Sequence, residues 1–278
     1  MPRVSRSIKF YRPSPAVFAV SITGGRCELN CPHCEGRYLE SMERATMPPD
    51  VIRAFDKAKS EGASCVLISG GFTRRGRLPV DGMVDAIREG KERTGLKVEV
   101  HSGVIEDATI SALARAGVDA ILIDVIGDDL TIREYLGGRW SVADYRRAMA
   151  SARASSMRLL APHVLIGVDR GKIRGEHHAV DIISEARPDS CAMLVLTDGA
   201  SAPDEAEAEK VMEYARDRLD CHLTLGCMHG RGAERQKYER IAVNLGYDGI
   251  ANPSQETERA AVAAGIEVVW KDGCCVFP

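Results

Sequence analysis

The sequence predicts an α/β fold, and within that class a (β/α)8 barrel of the TIM type. Three observations predict it. Short apolar runs rich in Val, Ile and Leu recur along the chain, and they lack strict alternation, as strands buried on both faces do. A stretch of helical periodicity follows each run. Eight such pairs, with no linker or low-complexity segment between them, fit the roughly 250 residues of a typical barrel. An open doubly wound sheet is the rival, because counting strands does not show closure.

In chain order, the expected strands are 17–23, 65–69, 97–101, 120–125, 159–166, 191–196, 222–225 and 249–251. The expected helices are 49–60, 82–93, 108–116, 144–155, 179–186, 204–219, 234–245 and 256–264. Asp50 after Pro48-Pro49, and Asp204 after Pro203, are good helix starts. Gly62, Gly95, Gly117, Gly246 and Gly265 stand where helices should stop. The expected organisation is one domain over 1–278, with a core of about 16–265 and a short cysteine-bearing C-terminal tail, 266–278.

Composition narrows the function classes. The chain has 278 residues and a formal charge of −3, which leaves no electrostatic footprint for nucleic acid or an acidic membrane. The longest apolar run near the start, 16–22, is too short to span a bilayer. Nine cysteines are too few, and odd in number, for a disulfide scaffold. A cytoplasmic, reduced protein with no nucleic-acid or membrane partner is expected.

The chemistry concentrates in Cys27-Glu28-Leu29-Asn30-Cys31-Pro32-His33-Cys34. On a barrel, loops after strands line the chemical face, so Cys27, Cys31 and Cys34 belong there. Cys65 and Cys191 open strands and Cys221 precedes one, so these three are expected as buried structural thiols on the opposite face. Cys227 follows the seventh strand, on the chemical face, while Cys274 and Cys275 lie in the tail. A Cys-x-x-Cys dithiol is one reading of Cys31 and Cys34. It leaves Cys27 unused, in a chain much larger than a thioredoxin-like domain. Zinc usually takes four ligands, often as two separated pairs, and no second pair stands at that spacing. A Cys-x₃-Cys-x₂-Cys triplet instead suits a 4Fe-4S cubane, holding three irons and leaving the fourth open for a chelating cofactor.

That triplet resembles the signature of the radical S-adenosylmethionine (SAM) superfamily, which implies a radical SAM barrel, a 4Fe-4S cluster and S-adenosyl-L-methionine. The resemblance makes Cys27, Cys31 and Cys34 the iron ligands and puts the backbone of His33 near the adenine. Ser69-Gly70-Gly71 resembles the family's glycine pair for the methionine part of the cofactor, although Phe72 replaces the acidic residue often found next. A tight turn alone would also explain two glycines. Asp124 matches the family's ribose-binding position, and could equally cap the next helix. Gly171-Lys172-Ile173-Arg174-Gly175 resembles the family's Gly-x-Ile-x-Gly segment. The acid usual three positions later is His178 here, with Glu176 nearby.

Beyond that core, "GGRCELNCPHCEGRYLESM", "LGCMHGRGAERQKYERIAVNLGYDGIANPS" and "KDGCC" together resemble the two-protein, archaeal-type lipoyl synthase subunits. The resemblance implies sulfur insertion into a protein-bound octanoyl chain. Expected partners are a second radical SAM subunit, an octanoylated carrier protein or domain, and an electron donor such as ferredoxin or flavodoxin. A second, auxiliary cluster would supply sulfur, with Cys227, Cys274 and Cys275 as ligands and Ser254, His229 or an exogenous group as a fourth. A biotin-synthase-like or methylthiolating enzyme, a methyltransferase or mutase, and a catalytically degenerate partner subunit are the alternatives.

Overall fold

The computed structural model describes residues 7–197 and 202–278. Its contacts divide the chain into two compact units, one of Ser14–Asp124 with Asp129–Ala161, the other of 7–13, Val125–Asp128 and Pro162–Pro278.

The first unit, which carries the cysteine triplet, is built on strands β2 (Val17–Ser21), β3 (Glu43–Arg44), β4 (Cys65–Ser69), β5 (Lys97–His101) and β6 (Ala120–Val125). Every pairing is parallel, in the order β3-β2-β4-β5-β6. Helices α1 (Pro48–Ser60), α2 (Val84–Thr94), α3 (Asp107–Arg115) and α4 (Val142–Ala154) follow strands in turn. The expected boundaries hold to within a few residues because the local signals are strong. At α4, for example, the Asp144 carboxylate accepts the Ser141 N–H at 2.8 Å and closes a capping box. Ile68, Val98, Val100, Ile121 and Ile123 are fully buried, which is the physical meaning of the non-alternating runs.

The second unit contains β7 (Leu159–Ile166, from Pro162 on), β8 (Ser190–Val195), β9 (His222–Leu225), β10 (Gly249–Ala251), β1 (Ser7–Arg12) and β11 (Glu267–Asp272). These strands also pair in parallel, in that order. Between them stand α5 (Glu176–Ala186), α6 (Glu205–Arg218), α7 (Gly232–Asn244) and α8 (Gln255–Ala263). Asp204 caps α6 through Ala206 and Glu207 N–H, and Ser254 caps α8 through Thr257 N–H.

Three strands lie outside the eight expected. β1 precedes residue 16, β3 is two residues long, and β11 takes up half of what the sequence offered as tail. Residues 267–272 are therefore a strand, and the cysteine-bearing tail is 273–278. β11 forms because Trp270 packs edge-on against Phe10 at 5.4 Å, lies under the Arg12 guanidinium and donates to Glu258. Those partners are distant in sequence, so no local pattern announces the strand.

Among the described residues no helix is long and apolar enough to cross a membrane.

Candidate active site around the cysteine triplet

The site grows from the end of β2. Ser21 Oγ donates to the Gly24 carbonyl at 2.7 Å, turning the chain into the loop that carries Cys27, Cys31 and Cys34. Cys31 is buried, while Cys27 and Cys34 are half-buried. The Cys31 carbonyl accepts the N–H groups of Cys34 and Glu35, at 3.0 and 2.8 Å, so Cys31 and Cys34 share one tight turn. Asn30, Glu35 and Gly36 adopt positive φ around it. The Arg37 guanidinium ties the turn from outside, donating to the carbonyls of His33 and Cys34. A thiol hydrogen bond from Cys31, with help from the Gly36 N–H, lowers Cys34 to about 6 and correspondingly raises Cys31.

The glycine pair lies directly against this loop. A Cβ on Gly71 would stand 2.0 Å from the Arg26 carbonyl oxygen and 2.5 Å from Cys27 Cα, so only glycine fits. Gly71 N–H donates to Thr23 Oγ1 at 2.6 Å, and the next carbonyl, that of Phe72, accepts the Glu28 N–H at 3.0 Å. Ser69 is buried, and its carbonyl accepts the Ile22 N–H. These contacts enclose a cavity of about 620 Å³ lined in part by Arg26, Cys27, Glu28, Gly71 and Phe72. That volume suits a drug-sized cofactor.

Asp124, at the end of β6, does not cap a helix. Its carboxylate lies 3.0 Å from His101 Nε2 at the end of β5. The Phe72 ring stands edge-on to His101, 5.7 Å away, linking the pair to the cysteine loop. Burial alone would depress His101, but the charge and hydrogen bond of Asp124 outweigh it and raise this imidazole. His101 was not among the expected site residues. Its place as the last residue of a strand was the signal available. The His33 ring stacks on Tyr135, with centroids 6.0 Å apart and planes within 17°.

With this geometry in view, the comparisons with known proteins become decisive. The Radical SAM superfamily matches residues 21–175, which is more than half of the chain. The chain belongs to the radical SAM superfamily. No curated protein matches it. Methylornithine synthase (PylB) has a similar structure, with a TM-score of 0.60 and 13% identity over 95% of this chain and 84% of that one. The FeFe-hydrogenase maturase HydG is similar at a TM-score of 0.63 and 14% identity, covering 88% of this chain and 56% of that one. HydG from Carboxydothermus hydrogenoformans gives 0.58 and 10%, over 88% and 59%. This chain therefore spans little more than half the length of those maturases. At such identities the likeness is one of fold, and it agrees with the barrel-type α/β class read from the sequence.

Radical SAM proteins use a 4Fe-4S cluster and S-adenosylmethionine, and the residues present fit that pair. Three thiols on one loop, one already held low, are a suitable donor set for iron. The close approach of Gly71 to Cys27 brings the glycine backbone to the wall of the cavity. Among the described residues no three cysteine sulfurs lie within 4.8 Å of one another, so neither cysteine set is gathered as a single zinc ion would require.

The second unit accounts for the other candidates. Cys227 follows β9 and is exposed. Its loop is held by Gly226 N–H on the Met193 carbonyl and by the Met228 carbonyl on Val195 N–H. His229 is 1% exposed, with Nδ1 2.5 Å from the Gly226 carbonyl and Nε2 3.2 Å from Glu239. Glu239 also accepts from Ser254 Oγ, Thr257 Oγ1 and Arg235 Nε. Its burial opposes ionisation, yet these donors hold its carboxyl down at about 2. His229 and Ser254, both considered as ligands, are thus engaged with Glu239.

Cys275 is buried with Tyr11 and Ala251, and Cys274 is half-buried beside it. The Tyr11 hydroxyl donates to the Phe277 carbonyl and meets His222 Nε2 at 2.9 Å, fastening the tail. Cys65 and Cys191 are buried at strand starts and Cys221 is half-buried. Glu176, near the glycine segment 171–175, is spent on backbone N–H groups of Gly167, Arg174 and Gly175. His178 Nδ1 is 2.7 Å from the Gly127 carbonyl.

Proposed function

We propose that this radical SAM enzyme inserts sulfur into an unactivated C–H bond of a protein-bound octanoyl chain, as one component of a two-protein lipoyl synthase. The observation that carries the reading is Cys227. It is an exposed thiol at the C-terminal end of a strand, where barrel enzymes place their chemistry, and it is separate from the cysteine triplet. The resemblance of the surrounding sequence and of the "KDGCC" tail to the lipoyl synthase subunits supports the choice of substrate.

The cofactor pair supplies what no side chain can, a radical able to take hydrogen from an alkyl carbon. The chain's own residues hold and shape the site. Cys27, Cys31 and Cys34 would ligate iron, and Ser69, Gly70 and Gly71 would offer main-chain groups to the methionine end of the cofactor. Asp124, steadied by His101, would face the ribose, and His33 would contribute its backbone near the adenine. Cys227, Cys274 and Cys275 would hold the auxiliary cluster.

A second reading has one observation in its favour. Burial of Cys275 against Tyr11 suits a structural thiol, which would fit a radical SAM enzyme with a single cluster. Iron separates the two. On the sulfur-insertion reading, Cys227→Ala lowers iron by about four per chain and keeps uncoupled deoxyadenosine formation. It also abolishes sulfur insertion into an octanoyl-lysine peptide assayed with the partner subunit. Unchanged iron and intact insertion would remove the reading's main support.

A further inference from the structure

Strand β1 presents side chains to two faces of the second unit's sheet. Phe10 packs on Trp270, and Trp270 donates to Glu258 of α8, so that face looks toward the helix. Tyr11, the next residue, points to the opposite face. There its ring reaches across β10 to β9. The reach depends on Gly249, where a Cβ would stand 2.6 Å from Tyr11 Cε2, so a side chain there would collide with the ring. The Tyr11 hydroxyl arrives 2.9 Å from Nε2 of His222, the first residue of β9, and the two rings meet edge-on at 6.1 Å.

The C-terminal tail closes on this pair. Gly273, at a φ of +138°, turns the chain off β11 while its N–H donates to the Arg12 carbonyl at 3.0 Å. Cys275 and Val276 are then buried, at 5% and 1% exposure. The Tyr11 hydroxyl donates to the Phe277 carbonyl at 3.2 Å, and His222 bonds the Cys275 backbone. Phenol and imidazole also bond each other, so the two anchors act as one unit. His222 opens β9, whereas Cys227 lies beyond the other end of that strand. The anchors therefore draw the tail toward the strand end away from Cys227.

We infer that Tyr11 and His222 are positioning residues that latch the cysteine tail in a stored position, from which it must be released before Cys274 or Cys275 acts jointly with Cys227. The latch is built from a few neutral hydrogen bonds and two small buried side chains, so it opens without unfolding the unit. A thiophilic ligand that takes the tail cysteines together with Cys227 binds only the open form and draws the equilibrium toward it. Its apparent affinity is lowered by the fraction of closed latch, which weakening the anchors relieves. The latch stands on the geometry of this unit. Its bearing on sulfur insertion rests on the reading given under the proposed function.

Timed alkylation by N-ethylmaleimide, read cysteine by cysteine by mass spectrometry on the full chain before iron reconstitution, tests the latch. Cys191, buried in β8 of the same unit, reports unfolding of the unit as a whole. In the wild type Cys275 should label about tenfold faster than Cys191 or more, and with a weaker dependence on urea, because release exposes less surface than unfolding. Equal rates and equal urea slopes would overturn the inference. Tyr11→Phe, which removes the hydroxyl, should speed labelling of Cys275 by a further factor of about ten, and so should Gly249→Ala, which crowds the ring. His222→Ala should act likewise, while His222→Gln keeps a donor and an acceptor and should restore much of the protection. Wild-type labelling of Cys275 in Tyr11→Phe and His222→Ala would also overturn it. Should Tyr11→Phe fail to fold, His222→Ala against His222→Gln decides on the same readout. Fast labelling of Cys275 in Tyr11→Phe, found together with full sulfur insertion by Cys227→Ala, would leave the latch standing and remove the sulfur-insertion reading.

Discussion

The loop of Cys27, Cys31 and Cys34 and the pairing of Cys227 with the Cys274-Cys275 tail look alike on sequence, yet their surroundings differ. The triplet sits on a loop whose own backbone shapes it. Positive φ at Asn30, Glu35 and Gly36 curls the chain, carbonyls take up the turn's N–H groups, and a glycine presses in behind. Cys27 and Cys34 are left partly accessible, with Cys34 held low, while Cys31 is buried in the turn. In the second set, Cys275 is packed between a tyrosine and an alanine while Cys227 is open to solvent. Burial of a thiol in apolar surroundings favours packing over ligation, whereas a preformed turn with accessible sulfurs favours ligation. The first region is built for a bound group, whereas the second sets a buried thiol beside an exposed one.

The strongest way to break that contrast is to remove the triplet. Cys27→Ala/Cys31→Ala/Cys34→Ala should abolish deoxyadenosine formation and lose about four irons per chain, with the circular dichroism spectrum unchanged. Loop thiols serve the bound group rather than the core, so the barrel should stay folded. Normal cleavage of S-adenosylmethionine by this variant would end the assignment of the site.

A smaller effect tests whether the Cys227 loop is anchored by packing. Glu239 is fully buried, and its carboxyl is held at about 2 against an ordinary value of 4.5. A depressed carboxyl contributes stability that is present above the unfolded value and lost as pH falls through the folded one. That difference corresponds to about 3 kcal/mol. Stability should therefore decline from about pH 4.5 toward pH 2. Glu239→Gln should remove most of that pH dependence and lower the neutral-pH stability, as read by denaturant titration. An unchanged titration midpoint at both pH values would show that the Glu239 network does not hold the loop.

How much of this was legible depends on how local each signal is. The triplet, the glycine pair and the eight expected strands needed only neighbouring residues, because a short buried run or a tight turn is decided within a few positions. β11 was read as tail because its stabilising partners, Phe10, Arg12 and Glu258, lie elsewhere in the chain. His101 was passed over for the same reason. Its significance comes from Asp124 on the next strand and Phe72 behind the cysteines, and a lone histidine at a strand end carries neither. Ser254 and His229 looked available for ligation because Glu239, which claims both, is invisible as their partner in a linear reading.

The smallest expected effect sharpens the contrast at Cys275. The residue is 5% exposed in a cluster with Tyr11 and Ala251, and the Tyr11 hydroxyl, already committed to Phe277 and His222, is not a ready partner for a new polar group. Cys275→Ser exchanges a small apolar thiol for a hydroxyl that needs a hydrogen bond, at a cost of about 1–2 kcal/mol if none is found. If Cys275 is a packing residue, thermal unfolding should shift by a few degrees while iron content stays at the wild-type value. Cys275→Ala, which adds no polar atom, should then be milder than the serine variant. If Cys275 is instead an iron ligand, both substitutions should lower iron to the same extent, whatever they do to stability. That second result would place Cys275 with the triplet as a ligating cysteine, and the two regions would no longer differ in kind.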